Sequence, residues 1–338
     1  RNAGVRIIYD IGNLGIIGVV EVIRHLSLFF KLRAFLRHAM MEEKPDVVVC
    51  VDYPGFNMKI AHVAKELGIP VVYYIAPTIW AWHKGRAKNI VHDVEHVASI
   101  FPFEAEAYRE AGARVTFVGH PLADTVKASM SYEEAMIFFG GDRVKKRILL
   151  MPGSRKNEVE KLLPAMLKAA DILTEKCECQ FFLPRAGTIS SEFIQGFLKN
   201  ASPRLDIIVT AGRIYDLMQI CTACIASSGT ATLETALMGL PTVLVYRLSA
   251  ITWFLAKHLV RVEYAGLPNI LLHKEVTPEL LQDKVTAGNI AEVVLPWLTD
   301  EVKRQENIRE LKSVRAVLGE GGAVRRTAEL ILRTAEGK

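Results

Sequence analysis

Short apolar runs alternate with segments of helical periodicity along most of the chain, the pattern of parallel strands joined by crossover helices. The first series of runs predicts strands at Val5 to Tyr9, Asp46 to Val51, Pro70 to Ile75, His96 to Phe101 and Val115 to Val118. A break follows at Tyr132 to Lys146, where Gly140-Gly141-Asp142 and a basic cluster read as a linker between domains. The second series predicts strands at Arg147 to Met151, Gln180 to Leu183, Asp206 to Thr210, Cys224 to Ala226 and Thr242 to Tyr246. From Pro278 onward the pattern becomes helical through Glu301 to Val317, and a last helix runs from Ala323 to about Glu336.

This pattern predicts an α/β protein of two doubly wound, Rossmann-like domains. The expected division is 1–143 for the first domain, incomplete at its start, 144–300 for the second, and 301–338 for terminal helices that pack back on the first. Ligands of open parallel sheets bind outside the carboxyl ends of the strands. That rule singles out three polar strand ends: Asp52-Tyr53-Pro54-Gly55-Phe56-Asn57, Pro152-Gly153-Ser154-Arg155 and Ser227-Ser228-Gly229-Thr230.

In the second of these, Gly153 permits close backbone approach and Ser154 can cap the following helix, whose amino end favours an anion. Arg155 adds a planar guanidinium suited to phosphate. Glu158 and Glu160 suit the helix dipole and partly offset Arg155. A capped surface turn accounts for the same residues. At the third strand end, the small residues Ser228, Gly229, Thr230 and Ala231 let a diphosphate reach backbone amides, and Glu234 lies one turn on, where it can accept hydrogen bonds from a ribose diol. The alternative is a well-capped helix with a solvated Glu234, since neither a Walker lysine nor a G-x-G-x-x-G fingerprint is present. Asp52 ends an otherwise apolar strand and is a candidate base, or else an N-cap for the helix containing Met58 to Leu67. His120, in Gly119-His120-Pro121, is a base, a phosphate ligand or a packed ring.

Composition narrows the class. The chain has 338 residues, half of them apolar, and a net charge of only +5 without any dense Lys/Arg block, so a nucleic-acid partner is not expected. No apolar stretch reaches the roughly 18 to 20 residues of a spanning helix. Five cysteines in a chain of this size argue against a disulfide framework and for a reduced, cytoplasmic protein. A zinc site built from Cys177, Cys179, Cys221 and Cys224 fits no standard spacing. Neither a metal nor a cofactor is expected.

Val51-Asp52-Tyr53-Pro54-Gly55-Phe56-Asn57, Ile79-Trp80-Ala81-Trp82, Phe101-Pro102-Phe103-Glu104, Val118-Gly119-His120-Pro121, Leu150-Met151-Pro152-Gly153-Ser154-Arg155, Ser228-Gly229-Thr230-Ala231-Thr232-Leu233-Glu234 and Gly266-Leu267-Pro268-Asn269 occur in this order. Together they closely resemble the lipid-A-disaccharide synthases, inverting glycosyltransferases of the glycosyltransferase-B fold, over nearly the whole chain. The family begins with a strand and a glycine-rich loop that have no counterpart before Val5, so about 30 residues of the first domain are expected to be missing.

The resemblance implies transfer from UDP-2,3-diacylglucosamine to 2,3-diacylglucosamine 1-phosphate, forming a β-1,6 disaccharide and UDP. In that frame Asp52 is the base, and Arg155 with the Gly229 and Thr230 amides takes up charge on the departing diphosphate. Glu234 holds the ribose, Asn269 lies near the nucleotide or sugar, and Trp80 and Trp82 line the acceptor cleft with Lys84 and Arg86 beside its phosphate. Packing of the two tryptophans onto the sheet is the alternative. No Asp-x-Asp pair sits at a strand end, in keeping with metal independence. Acylated substrates imply peripheral association with the cytoplasmic face of the inner membrane. Gly15 to His38 and Ile251 to Val262 combine apolar and basic residues as interfacial helices do, and as core helices with a basic outer face also do. A homodimer remains open. The other readings are a different UDP-N-acetylglucosamine enzyme of the same fold, either a lipid-linked muramyl peptide glycosyltransferase or a 2-epimerase, and a non-catalytic nucleotide-binding protein.

Overall fold

A computed structural model describes residues 4–10, 26–77, 84–248, 263–319 and 321–337. Nine of the apolar runs become parallel strands: β1 (Val48–Val51), β2 (Val71–Tyr74), β3 (His96–Ser99), β4 (Val115–Phe117), β5 (Lys146–Met151), β6 (Cys179–Pro184), β7 (Ile207–Thr210), β8 (Ala223–Ser227) and β9 (Thr242–Tyr246). A tenth, β10 (Glu279–Leu281), pairs in parallel with β9. It falls where the periodicity predicted only helix, because a three-residue edge strand after Pro278 carries too short a pattern to read. The strands form two sheets, ordered β1-β2-β3-β4 and β10-β9-β8-β5-β6-β7.

Alternation along the strands of the second sheet feeds two different cores. Ile148, Leu150, Phe181, Leu183 and Ile225 point to one face, where the helices Lys156–Thr174 and Ala287–Thr299 cover them. Leu149, Phe182, Cys224 and Ala226 point to the other, under the helices Tyr132–Phe139 and Ile214–Ile220. The stretch read as a linker is therefore largely a helix of the second sheet's layer. Ser131 and Glu134 close a capping box at its start, and Gly140 ends it in a left-handed turn.

One further expectation changes. Val5 to Tyr9 pairs with no strand among the described residues, and Val5, Ile7, Ile8 and Tyr9 are exposed. The cysteines divide between the two faces: Cys177 and Cys179 belong to one core and Cys221 and Cys224 to the other. All five are free thiols, so the four do not converge on one metal.

The chain's last part returns to the first sheet. Arg315 donates to the carbonyl of Ala123 (3.1 Å) and Arg326 to that of Val118 (2.8 Å), while the Asp124 carboxylate accepts the amides of Gly322 and Ala323 at 2.6 and 3.0 Å. One apolar cluster contains Ile100, Phe101 and Val118, beyond the carboxyl ends of β3 and β4, together with Leu233, Ala236 and Leu237 of the helix Thr230–Leu237. The two sheets thus share packing close to the second sheet's polar loops. Among the described residues no helix is long and apolar enough to cross a membrane.

Candidate functional site

In the second sheet the order reverses at β5, which has β6 on one side and β8 on the other. Such a reversal leaves a crevice at the carboxyl ends of the two strands, because their connections leave in opposite directions. A hollow of about 570 Å³ lies there, and both polar loops line it: Gly153, Ser154 and Arg155 after β5, and Ser227 to Ala231 after β8, with Glu234 and Tyr246.

Gly229 takes φ +147°, a backbone state open to glycine, and enters the helix Thr230–Leu237 without a side-chain cap. The amides at that helix start are not consumed by a capping side chain and remain available to an anion. Glu234 on the same helix accepts a hydrogen bond from the Tyr215 hydroxyl at 2.8 Å. Burial raises its pKa above the ordinary carboxylate value, with the Tyr215 bond acting in the opposite direction. Glu234 is thus half-buried and hydrogen-bonded within the fold.

The β5 loop is ordered differently from expectation. Ser154 does not cap the helix, which begins at Lys156 behind Arg155. Instead the Glu158 carboxylate reaches back, accepting the amides of Ser154 (3.2 Å) and Arg155 (3.3 Å) on one oxygen and the Arg155 guanidinium (3.0 Å) on the other. Gly153, at φ +113°, leaves room for it, since a Cβ there would stand 2.8 Å from that of Glu158. Arg155 keeps about half of its side chain exposed to the hollow's mouth, whereas Glu158 is largely covered. Sequence spacing placed Glu158 in the first turn but gave no sign that it organises the loop.

Asp52 is not part of that hollow's lining. It follows β1 with φ +50°, and Tyr53 follows with φ +46°. Two successive left-handed residues that are not glycine are strained, and the surroundings hold them. The Asp52 carbonyl accepts both Asn57 Nδ2 (2.8 Å) and the fully buried Tyr73 hydroxyl (2.9 Å), Asn57 Nδ2 also reaches the Val51 carbonyl (3.0 Å), and the Asp52 amide bonds to Tyr74 (3.0 Å). The helix Pro54–Glu66 then starts behind Tyr53 without any side-chain cap, so Asp52 is not its N-cap. Its side chain is exposed. Asn57 and Tyr73 are positions that sequence reading passed over, because their effect depends on a carbonyl that only the fold brings to them.

The remaining candidates lie elsewhere. His120 is buried, tilted against Phe101 at 5.0 Å between ring centres, and accepts the Leu122 amide on Nδ1 at 3.1 Å. Burial lowers its pKa to about 4, so the ring is neutral at physiological pH, in keeping with the packed-ring alternative. Asn269 is fully buried and all four of its hydrogen-bonding positions are used. It donates to the Thr277 carbonyl and the Glu279 carboxylate and accepts from the amides of Val276 and Thr277, all within 2.9 Å. It fastens the loop leading to β10 and does not line the hollow. Trp80 and Trp82 lie outside the described residues, as does Ile251 to Val262, and nothing is described of the side chains of Lys84 and Arg86.

A family model described as Lipid-A-disaccharide synthetase matches residues 1–332. Curated relatives named lipid-A-disaccharide synthase include those of Geobacter metallireducens, 41% identical over 98% of this chain and 86% of the relative, and of Trichlorobacter lovleyi, 42% identical over 99% and 88%. Among solved structures, the chain is similar to a UDP-GlcNAc 2-epimerase from Neisseria meningitidis bound to UDP-GlcNAc. That likeness has a TM-score of 0.65 at 14% identity and covers 91% of this chain and 82% of the other. It is a likeness of fold: two Rossmann-like domains.

Proposed function

The chain belongs to the lipid-A-disaccharide synthetase family, and from that premise we propose how its residues divide the work of a glycosyltransferase making the lipid A disaccharide. The observation that carries the proposal is the hollow at the β5/β8 reversal, with an arginine loop on one side and an uncapped helix start on the other.

The donor is UDP-2,3-diacylglucosamine, with its diphosphate between Arg155 and the amides around Ser228, Gly229, Thr230 and Ala231, and its ribose diol on Glu234. Leaving-group charge develops on the diphosphate as the anomeric bond breaks, and fixed cations and amides aimed at developing charge lower the barrier. The acceptor is 2,3-diacylglucosamine 1-phosphate. Its 6-hydroxyl attacks the anomeric carbon from the face opposite UDP and passes its proton to Asp52, whose carboxylate stands exposed at the end of β1. Asn269 and His120 hold the surrounding loops and do not contact substrate.

Acylated substrates require a bilayer surface, and the helix Leu26–Glu43 supports a peripheral reading. Leu32 and Met40 are buried, while Phe30 and Phe35 are exposed. Phe29 and Phe30 share a small hollow with Phe56, Arg33 and Lys59, and Phe29 lies 6.5 Å from the Tyr53 ring, next to Asp52. An apolar and cationic surface beside the proposed base suits acyl chains and an acceptor phosphate. We place the enzyme on the cytoplasmic face of the inner membrane. The test is turnover of UDP-diacylglucosamine with the acylated glucosamine phosphate. Disaccharide and UDP are expected in equal amounts, and UDP binding without disaccharide would reduce the protein to a nucleotide binder.

A further inference from the structure

His62 and the pair His92-Asp93 lie on two different helices of the first domain, Pro54–Glu66 and Lys84–Asp93, and meet at one point. The Asp93 carboxylate, only 8% exposed, lies with its Oδ1 2.7 Å from His92 Nδ1 and 3.0 Å from His62 Nδ1. One ligating atom from each of the three residues lies within 4.8 Å of the other two. Both imidazoles are exposed at their outer edges, with side chains 54% and 71% accessible. The group is separate from the diphosphate hollow and shares no residue with it.

From this geometry we propose that His62, His92 and Asp93 form a binding site for a divalent cation of the zinc type, which clips the helix Pro54–Glu66 to the end of the helix Lys84–Asp93. Two imidazole nitrogens and one carboxylate oxygen are a donor set suited to zinc. Ligands about 2.0 to 2.1 Å from a tetrahedral zinc ion lie roughly 3.3 Å from one another. The two nitrogen–oxygen separations, 2.7 and 3.0 Å, need to widen by about 0.3 to 0.6 Å to admit it. The ion enters between the ring nitrogens and Oδ1, so each ligating Nδ1 gives up its hydrogen, held afterwards on Nε2 or released to solvent, and no other bond changes.

Surroundings support the assignment. His62 Nε2 is 3.6 Å from Glu66 Oε1, and Arg37 holds the other Glu66 oxygen at 2.9 Å. A carboxylate on the outer ring nitrogen is the usual partner of a metal-bound histidine, and Glu66, at 3.6 Å beyond hydrogen-bond distance, stands where a small shift would make it one. A shallow hollow of about 170 Å³, with Asp93, Lys65 and Glu95 in its wall, adjoins the group. That space suits a water as the fourth ligand of the ion. The ligands are 31 residues apart in the chain, so cross-linking them raises the stability of the first domain by binding the folded state alone.

The experiment uses the whole chain, stripped with chelator and kept reduced, titrated with Zn²⁺ by calorimetry and with Co²⁺ by visible absorption. Expected are one saturable site per chain, a tetrahedral cobalt spectrum lacking the near-ultraviolet thiolate band, and a rise in Tm with Zn²⁺. His62→Gln and His92→Gln, both at exposed positions, each weaken Zn²⁺ binding at least 10-fold and abolish the Tm rise, while His38→Gln leaves both unchanged. Absence of saturable Zn²⁺ binding to the parent chain overturns the proposal. So does a site that survives in the His62→Gln/His92→Gln double variant, and so does a thiolate band that Cys177→Ser removes.

Discussion

At the end of β1 the chain turns through two left-handed residues with side chains, Asp52 and Tyr53, whereas at the end of β5 it turns through a glycine, Gly153. Both turns deliver a charged side chain to a strand's carboxyl end, but the cost is met in different places. A left-handed residue other than glycine costs on the order of 1–3 kcal/mol, and at Asp52 the Asn57 amide and the Tyr73 hydroxyl hold the carbonyl that defines the turn. At Gly153 the backbone state is cheap, and the loop's donors are held by a carboxylate from its own helix, Glu158. The first turn leaves its carboxylate exposed, with no hydrogen bond to it among the described residues. The second stores an internal anion beside the seat proposed for an external one.

The comparison predicts that the two turns affect different kinetic constants. Asp52→Asn keeps the shape and removes the proposed base, so kcat should fall by about 10²–10⁴-fold while the dissociation constant for UDP, measured by calorimetry, stays within twofold. Retained turnover in that variant would show that the β1 turn serves some purpose other than proton transfer. Next in size is Arg155→Ala, for which loss of a charge-stabilising donor costs on the order of 10²–10³ in kcat. UDP binding should weaken with it, and Tm should hardly change, because Arg155 is about half exposed and Glu158 keeps the two backbone amides that it accepts. Unchanged UDP affinity there would separate the arginine loop from the nucleotide.

Asn57→Ala sharpens the same contrast on a smaller scale. It strips one donor from the carbonyls of Val51 and Asp52 and is expected to lower stability by about 1–3 kcal/mol. Turnover should fall by about 10-fold through misplacement of Asp52, with the UDP constant again untouched. A drop in Tm with normal kcat would confine Asn57 to structure.

The same contrast explains what could be read from the chain. Nine strands were legible because each is a run of apolar residues flanked by turn residues, and β10 was not, being three residues long behind a proline. The helix Tyr132–Phe139 was hidden by the glycines and charges that follow it, although Ser131 and Glu134 carry the capping-box spacing that marks a helix start. At the site, Gly153, Arg155, Gly229 and Glu234 were visible as residue types at strand ends, and they line one hollow. Glu158, Asn57 and Tyr73 act by returning to backbone atoms several residues or a whole strand away, and residue type does not encode such returns. Asn269 shows the converse: it was singled out by the resemblance, and the fold buries its amide in four internal hydrogen bonds.

The finest test of the hollow is its dependence on pH. A carboxylate accepts two ribose hydroxyls best when ionised, so UDP affinity should decline as pH falls through the pKa of Glu234. Burial raises that pKa above the ordinary value, so the decline should begin at higher pH than for an exposed glutamate. The Tyr215 hydroxyl, donating to Glu234 at 2.8 Å, favours the ionised form and opposes the rise. Tyr215→Phe removes that donor, and the acidic limb of the affinity profile should therefore move further upward in pH, with affinity above the limb changed by only a fewfold. A uniform loss of affinity at every pH would mean that Tyr215 merely packs, and an unshifted limb would take the ribose contact away from Glu234.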